Sequence, residues 1–373
     1  MIYVILVIII IVVSECCFRV WYKAKFKRPY HVTIKFKWDE NHVSPHPFLT
    51  FAYKKNHIIN KNQKLPYPLH TNKFTSYSKP LYINNRGHFG PDVENNSDSC
   101  TLRIACLGHS TTANNLGYLE NDYTYPDMLG QKLNKELKKN IYDKYTHAEI
   151  MNCGIGGWTS IDIMIDFCIN ILPLKPQYIV YFAGYNDLYM LMQDNVAFDY
   201  THVRKSLGEV LSHIKIGYFF PKISFLHFYE FTRCTLFGSG NIRNEVLRNV
   251  ITNKPIPRVV FDYSIEENAI SNICILCKYY GIKMILCSTP YYNFKNCEPY
   301  NSFCENIKRE NVVFQDISKK FDTHFVDIAK NIAYIDENFV DEVHFSPQGM
   351  DFLSEQVKNT ILSDFDNTKI TII

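Results

Sequence analysis

Leu102-Arg103-Ile104-Ala105-Cys106-Leu107-Gly108-His109-Ser110-Thr111-Thr112 is the stretch from which the rest of the chain can be read. Residues 102–107 form a short, mostly apolar run ending in a turn, as a buried parallel strand does. Gly108 turns the chain, and Ser110 stands where a helix can begin. A serine so placed points its hydroxyl into the crevice at the end of the strand, and its own N–H faces the same spot. Outward from this unit, strand and helix alternate. Tyr125, Met128, Leu129, Leu133 and Leu137 line one face of a helix. Residues 150–152 suggest a second strand, followed by a glycine turn at 154–157 and an apolar helix near 161–171. Residues 178–183 give a third strand leading into Gly184. A helix at 265–280 is stopped by Gly281. Residues 283–288 and 324–327 give a fourth and a fifth strand. The last helix starts at Ser346-Pro347, a cap followed by proline at the first helical position. This alternation implies an α/β fold whose five-stranded, mostly parallel sheet is covered on both faces. Such sheets bind ligands at the carboxyl ends of their strands. Ser110, the glycine turn and Asn186 all fall just after strands, so one rim gathers them.

Those segments carry complementary chemistry. Serine is a weak nucleophile until a base takes its proton. His344 is the candidate base, on a loop just before the last helix. Asp341, three residues earlier, is placed to accept the imidazole N–H and fix its tautomer. Asp336, Glu337 and Glu342 are neighbouring carboxylates less well placed. An oxyanion needs preorganised donors. The Ser110 N–H, a backbone N–H of the glycine turn and the Asn186 side-chain amide are available. Any one segment alone reads more simply as a turn or a helix cap.

At 373 residues the chain can bury a full core. A formal net charge of +3 gives no clustered basic footprint, and no nucleic-acid partner is expected. Cys106, Cys153, Cys168 and Cys287 lie in or beside apolar runs and read as buried small hydrophobes. Cys274 and Cys277 have redox or metal spacing inside an apolar helical pattern, where packing is the expected role. Cys297 and Cys304 flank a polar loop and could bridge in an oxidising compartment.

Residues 1–13 are apolar and uncharged, and Trp21-Tyr22 suits a membrane interface. Residues 1–22 read as a single-pass membrane anchor, with a cleaved secretory signal as the alternative. Arg19, Lys23, Lys25, Lys27 and Arg28 follow the apolar run and would hold the body of an anchored chain in the cytoplasm, whereas a cleaved signal would export it. The side of the membrane stays open. Residues 23–99 form an irregular, partly β extension expected to pack on the main domain at 100–373. An insertion at about 189–263 is rich in aromatic residues, including Tyr218, Phe219, Phe220 and Phe225. It reads as extra helices with a small core of their own, with a lid or lipid-contact surface as the alternative.

Taken together, Gly108-His109-Ser110, Asn152-Cys153-Gly154-Ile155-Gly156-Gly157, Gly184-Tyr185-Asn186-Asp187 and Asp341-Glu342-Val343-His344 resemble the four blocks of the SGNH hydrolases, also called the GDSL esterase/lipase superfamily. The resemblance implies a three-layer α/β/α sandwich of flavodoxin-like type and a serine esterase working through an acyl-enzyme. It makes Ser110 the nucleophile and completes the triad with Asp341 and His344. It also makes Gly157 the glycine donor of the oxyanion hole, with Gly154 and Gly156 as alternatives, and Asn186 the amide donor. Asn84-Asn85-Arg86-Gly87 is similar to a lead-in found in some members. The expected partner is an ester-bearing small molecule, lipid or glycan, with no cofactor and no metal. An O-acyltransferase, or a catalytically silent binding protein on the same fold, are the alternatives. One position departs from the pattern: His109 replaces the family's aspartate before the nucleophile.

Overall fold

The computed structural model describes residues 2–26, 43–44, 46, 48–59, 81–113, 124–139, 144–191, 200, 262–294, 296 and 300–370. Five parallel strands form the central sheet: β5 (Thr101–Gly108), β6 (His147–Gly154), β7 (Tyr178–Phe182), β8 (Lys283–Cys287) and β9 (His324–Val326). Their spatial order is β6-β5-β7-β8-β9. Numbered by their succession within the sheet this is 2-1-3-4-5, the flavodoxin-like doubly wound order, whose ligand crevice opens beside the first strand. The alternation read from sequence is thus the architecture, and β5 is that first strand. The second strand is longer than the apolar run at 150–152, because pairing with β5 extends it in register from Thr101↔His147 to Gly108↔Gly154.

Side chains of opposite parity divide between two cores. Leu102, Ile104 and Cys106 of β5 and Val180 and Phe182 of β7 face α3 (Tyr125–Leu137) and α9 (Pro347–Ile370), meeting Leu129, Leu133, Leu353 and Val357. Ala105, Leu107, Ile179, Tyr181 and Leu286 face the other way. They pack with α4 (Ser160–Asp166), α6 (Ser264–Tyr280) and α7 (Tyr300–Phe321) through Ile163, Ile273 and Phe314. Burial on both faces is why these strands read as nearly continuous apolar runs. The helix after the glycine turn changes character along its length. It is α-helical as α4, widens to a π turn at Phe167–Ile171, and tightens to a 3₁₀ turn at Leu172–Leu174. Lys175, at φ 52°, and Pro176 end it.

The extension before β5 contains two small antiparallel pairs. β1 (Val43–Ser44) pairs with β2 (Ala52–Tyr53), and β3 (His57–Ile59) with β4 (Leu81–Ile83). Phe89 bridges to Ile83 on one side and to Asn152 of β6 on the other. Leu49, Tyr53, Ile59 and Ile83 lie in the same core as Leu107 and Ile179.

Ile2–Phe26 forms one helix, α1, in which the side chains at 4–9 are outside the described residues. Among the described residues no helix is long and apolar enough to cross a membrane. The cysteine expectations divide. Cys106, Cys153 and Cys287 are buried as expected, but Cys168 is exposed, because it follows Phe167 by one position while the buried face runs through Ile163, Phe167 and Ile171. Cys274 and Cys277 are buried in α6, and burial pushes the Cys274 thiol up to about 12, so both pack rather than react. Cys297 and nearly all of the aromatic insertion lie outside the described residues.

Candidate active site

At the carboxyl rim the chain turns sharply from β5 into the four-residue helix α2 (Ser110–Ala113). Gly108 is required there. A Cβ on it would stand 2.1 Å from Thr112 Oγ1 and 2.3 Å from the Phe182 carbonyl of the neighbouring strand. Gly154, its register partner on β6, is equally tight, with a Cβ meeting Ala113 N at 2.3 Å. The two glycines let three strand ends and one helix start close on a single spot. Ser110 Oγ emerges there, 2.9 Å from His344 Nε2.

His344 approaches from the far end of the chain, in the loop between α8 (Ile328–Asn331) and α9. Phe339 and Phe345 pair across that loop, and the Val340 N–H donates to the His344 carbonyl at 2.8 Å. Ser346 caps α9 by accepting the Gly349 N–H at 3.3 Å. The Asp341 carboxylate receives His344 Nδ1 at 2.8 Å on Oδ2. Its Oδ1 takes the backbone N–H groups of Val343 at 2.9 Å and His344 at 2.7 Å. Burial works against the Asp341 charge, but the His344 ring and these donors outweigh it and hold the carboxyl below its usual pKa. An ionised carboxylate only accepts, so the ring proton sits on Nδ1 and Nε2 presents a lone pair to Ser110. Of the other nearby acids, Asp336 is engaged elsewhere, receiving the Tyr292 hydroxyl at 2.7 Å.

The candidate oxyanion donors lie on the adjoining turns. Gly157 has φ +84° in the turn between β6 and α4, a conformation that favours glycine. Asn186 is the second residue of α5 (Tyr185–Leu191), and its Nδ2 donates to the Trp158 carbonyl at 2.7 Å. One of its two amide hydrogens therefore fixes the side chain against the glycine turn, and the second is left to point elsewhere. Gly154 is a poor donor, because its N–H goes to Asn152 Oδ1 at 3.2 Å. Among the described residues no cluster of His, Cys, Asp or Glu is arranged to hold a metal.

Two features of the site lay beyond the sequence reading. The extension buttresses the glycine turn, with Trp158 Nε1 donating to the Phe51 carbonyl at 3.0 Å and the Thr50 N–H donating to Asp162 at 2.8 Å. Beneath the turns Asp187, Glu266 and Glu310 are also fully buried. Burial raises the pKa of each.

The GDSL-like lipase/acylhydrolase family matches residues 106–352, which take in Ser110, the glycine turn, Asn186, Asp341 and His344. The chain belongs to this family. It is an SGNH-type enzyme that hydrolyses ester bonds. Solved structures similar to it include a lipase/acylhydrolase from Enterococcus faecalis, at 16% identity over 69% of this chain and 94% of that one, with a TM-score of 0.41. A GDSL-like lipase from Bacteroides thetaiotaomicron is 16% identical over 70% of this chain and 89% of that one, with a TM-score of 0.39. An acetylxylan esterase from Geobacillus stearothermophilus is 14% identical over 70% and 94%, with a TM-score of 0.40. No curated protein matches the chain by sequence.

Proposed function

We propose that this acylhydrolase is a serine esterase in which Ser110 forms an acyl-enzyme. The supporting observation is the unbroken line from Ser110 Oγ through His344 to Asp341, at 2.9 and 2.8 Å. His344 Nε2 takes the hydroxyl proton as Ser110 attacks the ester carbonyl. Asp341 stabilises the imidazolium that forms. The carbonyl oxygen gains negative charge and is met by the Ser110 N–H, the Gly157 N–H and the second Asn186 amide hydrogen. Collapse returns the proton from His344 to the leaving alkoxide and leaves an ester on Ser110. Water, deprotonated by His344, then releases the acid and regenerates the serine. A fluorophosphonate should label the native protein stoichiometrically on Ser110, and Ser110→Ala should lose both labelling and turnover of a small activated ester. Turnover retained by purified Ser110→Ala would refute the assignment.

We further propose that residues 1–22 anchor the chain in a bilayer, on the strength of the apolar, uncharged run at 1–13 and of Trp21-Tyr22 suited to a membrane interface. Full-length protein should then need detergent for extraction; recovery in the soluble fraction with Met1 intact would refute it.

A further inference from the structure

We infer that His109, which stands where the family has an aspartate, is a positioning residue that holds the Asn186 turn through Asp187. The inference rests on the reading of Ser110 and Asn186 given above. The His109 ring is buried, at 1% exposure, directly beneath the nucleophile. The Gly184 N–H donates to its Nδ1 at 3.4 Å. An acceptor Nδ1 in a neutral imidazole places the ring proton on Nε2, and Nε2 faces Asp187 Oδ2 at 3.5 Å. Asp187 in turn accepts the Ser160 N–H at 3.0 and 3.1 Å and the Ser160 hydroxyl at 2.6 Å. His109 adjoins Ser110, Asp187 adjoins Asn186, and Ser160 opens the helix after the Gly157 turn. Hydrogen bonds thus join Asp187 to Ser160, and the His109 ring makes polar contact with Asp187, so this buried line runs past all three segments that carry the candidate oxyanion donors.

On its other side the turn packs closely against α7. Gly184 sits at φ +154°, and a Cβ on it would meet Glu310 Oε2 at 2.4 Å. Among the described residues the titratable groups around the pair are Asp162 from α4, Tyr181 from β7, Tyr200, Glu266 from α6 and Glu310 from α7. None of them supplies a fixed positive charge. A carboxylate in place of the imidazole would meet a site that is already acidic, and it would lack the donor that Asp187 faces. His109 and Asp187 form a complementary pair, and in water-free surroundings two like charges at that distance repel strongly.

The test measures kcat and KM on a small activated ester from about pH 6 to about pH 9 for the native enzyme, Ser110→Ala, His109→Asp, His109→Gln and His109→Asp combined with Asp187→Asn. His109→Asp should lower kcat at least about tenfold at the alkaline end with little change in KM. The deficit should shrink towards the acid end, where the two carboxyls share a proton. His109→Gln, which keeps an N–H donor towards Asp187, should recover most of the native kcat. Adding Asp187→Asn should relieve His109→Asp, because an amide can donate to the introduced carboxylate, so the two changes are non-additive. Should His109→Asp alone fail to fold, His109→Leu replaces it, with reduced kcat expected against His109→Gln. A His109→Asp deficit that is flat with pH and additive with Asp187→Asn, or a His109→Leu enzyme equal to native, overturns the inference. Activity surviving in Ser110→Ala would instead refute the site assignment itself.

Discussion

Asp341 and His344 are joined twice, once through the ring and once through the backbone. The carboxylate takes His344 Nδ1 at 2.8 Å on one oxygen and the His344 N–H at 2.7 Å on the other. A single side chain thus shapes the loop and selects the tautomer. Asp341→Asn separates the two tasks. Its carbonyl can still accept the backbone N–H groups, while its amide presents a donor where Nδ1–H must be received. The ring proton then moves to Nε2, where it blocks proton removal from Ser110. The expected result is a folded enzyme whose kcat falls by about 10⁴-fold. Steady-state kinetics together with thermal melting check it, and a variant that is merely unfolded would not support it.

Asn186→Ala should lower kcat by about 10²–10³-fold with a modest change in KM, because the donor counts mainly in the transition state. Asn186 also holds the Trp158 carbonyl at 2.7 Å, so its loss loosens the glycine turn as well. The effect should therefore fall at the larger end of that range. Equal loss in KM and none in kcat would remove Asn186 from the oxyanion hole.

The parts legible in sequence were those whose signal is local. The five strands show as short apolar runs because both sheet faces are buried, and Ser110, Asn186, Asp341 and His344 sit in compact segments at strand ends. Helix α7 went unread. Its buried face mixes Phe303, Ile307, Phe314 and Ile317 with Asn306, Glu310 and Ser318, while Val312 is exposed, which blurs the apolar period. The strand order could not be read either, since nothing in β5 says which strands flank it. The His109–Asp187 pairing depends on that order: it exists only because β7 lies beside β5 and brings Gly184 over the His109 ring. Likewise Thr50 and Asp162 are far apart in the chain, and their contact follows from the folding back of the extension.

Glu266 should make the protein less stable as pH rises. Both of its carboxyl oxygens are buried without a protein donor, and burial together with the facing Glu310 carboxyl raises its pKa well above the ordinary value. Two facing carboxyls in water-free surroundings cannot both ionise, so the pair keeps a proton. In the unfolded chain glutamates ionise near about pH 4.3, whereas the folded pair keeps its proton to higher pH. Above that point the folded state binds more protons, so stability declines as pH climbs towards the raised folded value. Glu266→Gln removes this titration. Chemical denaturation at about pH 5 and about pH 8 should show its stability relative to native rising with pH; a difference that stays constant would argue against it.

Asp162 ties the extension to the glycine turn that carries Gly157, and its removal should cost both stability and rate. One carboxylate oxygen accepts the Thr50 N–H at 2.8 Å, and the other accepts the N–H and hydroxyl of Thr159, each at 3.1 Å. Asp162 thereby caps α4 directly after Trp158, the residue whose carbonyl Asn186 holds. Asp162→Ala leaves buried N–H groups without acceptors and deletes the capping box, a loss of about 2–4 kcal/mol when the unpaired donors and the cap are taken together. Because the freed turn carries Gly157, kcat should fall with KM nearly unchanged. Trp158→Phe, which removes only the indole donor to the Phe51 carbonyl, should show the same direction at smaller size. Denaturant melts and steady-state kinetics on both variants check this. If Asp162→Ala lost stability but kept full kcat, the extension would be holding the fold without aligning the site.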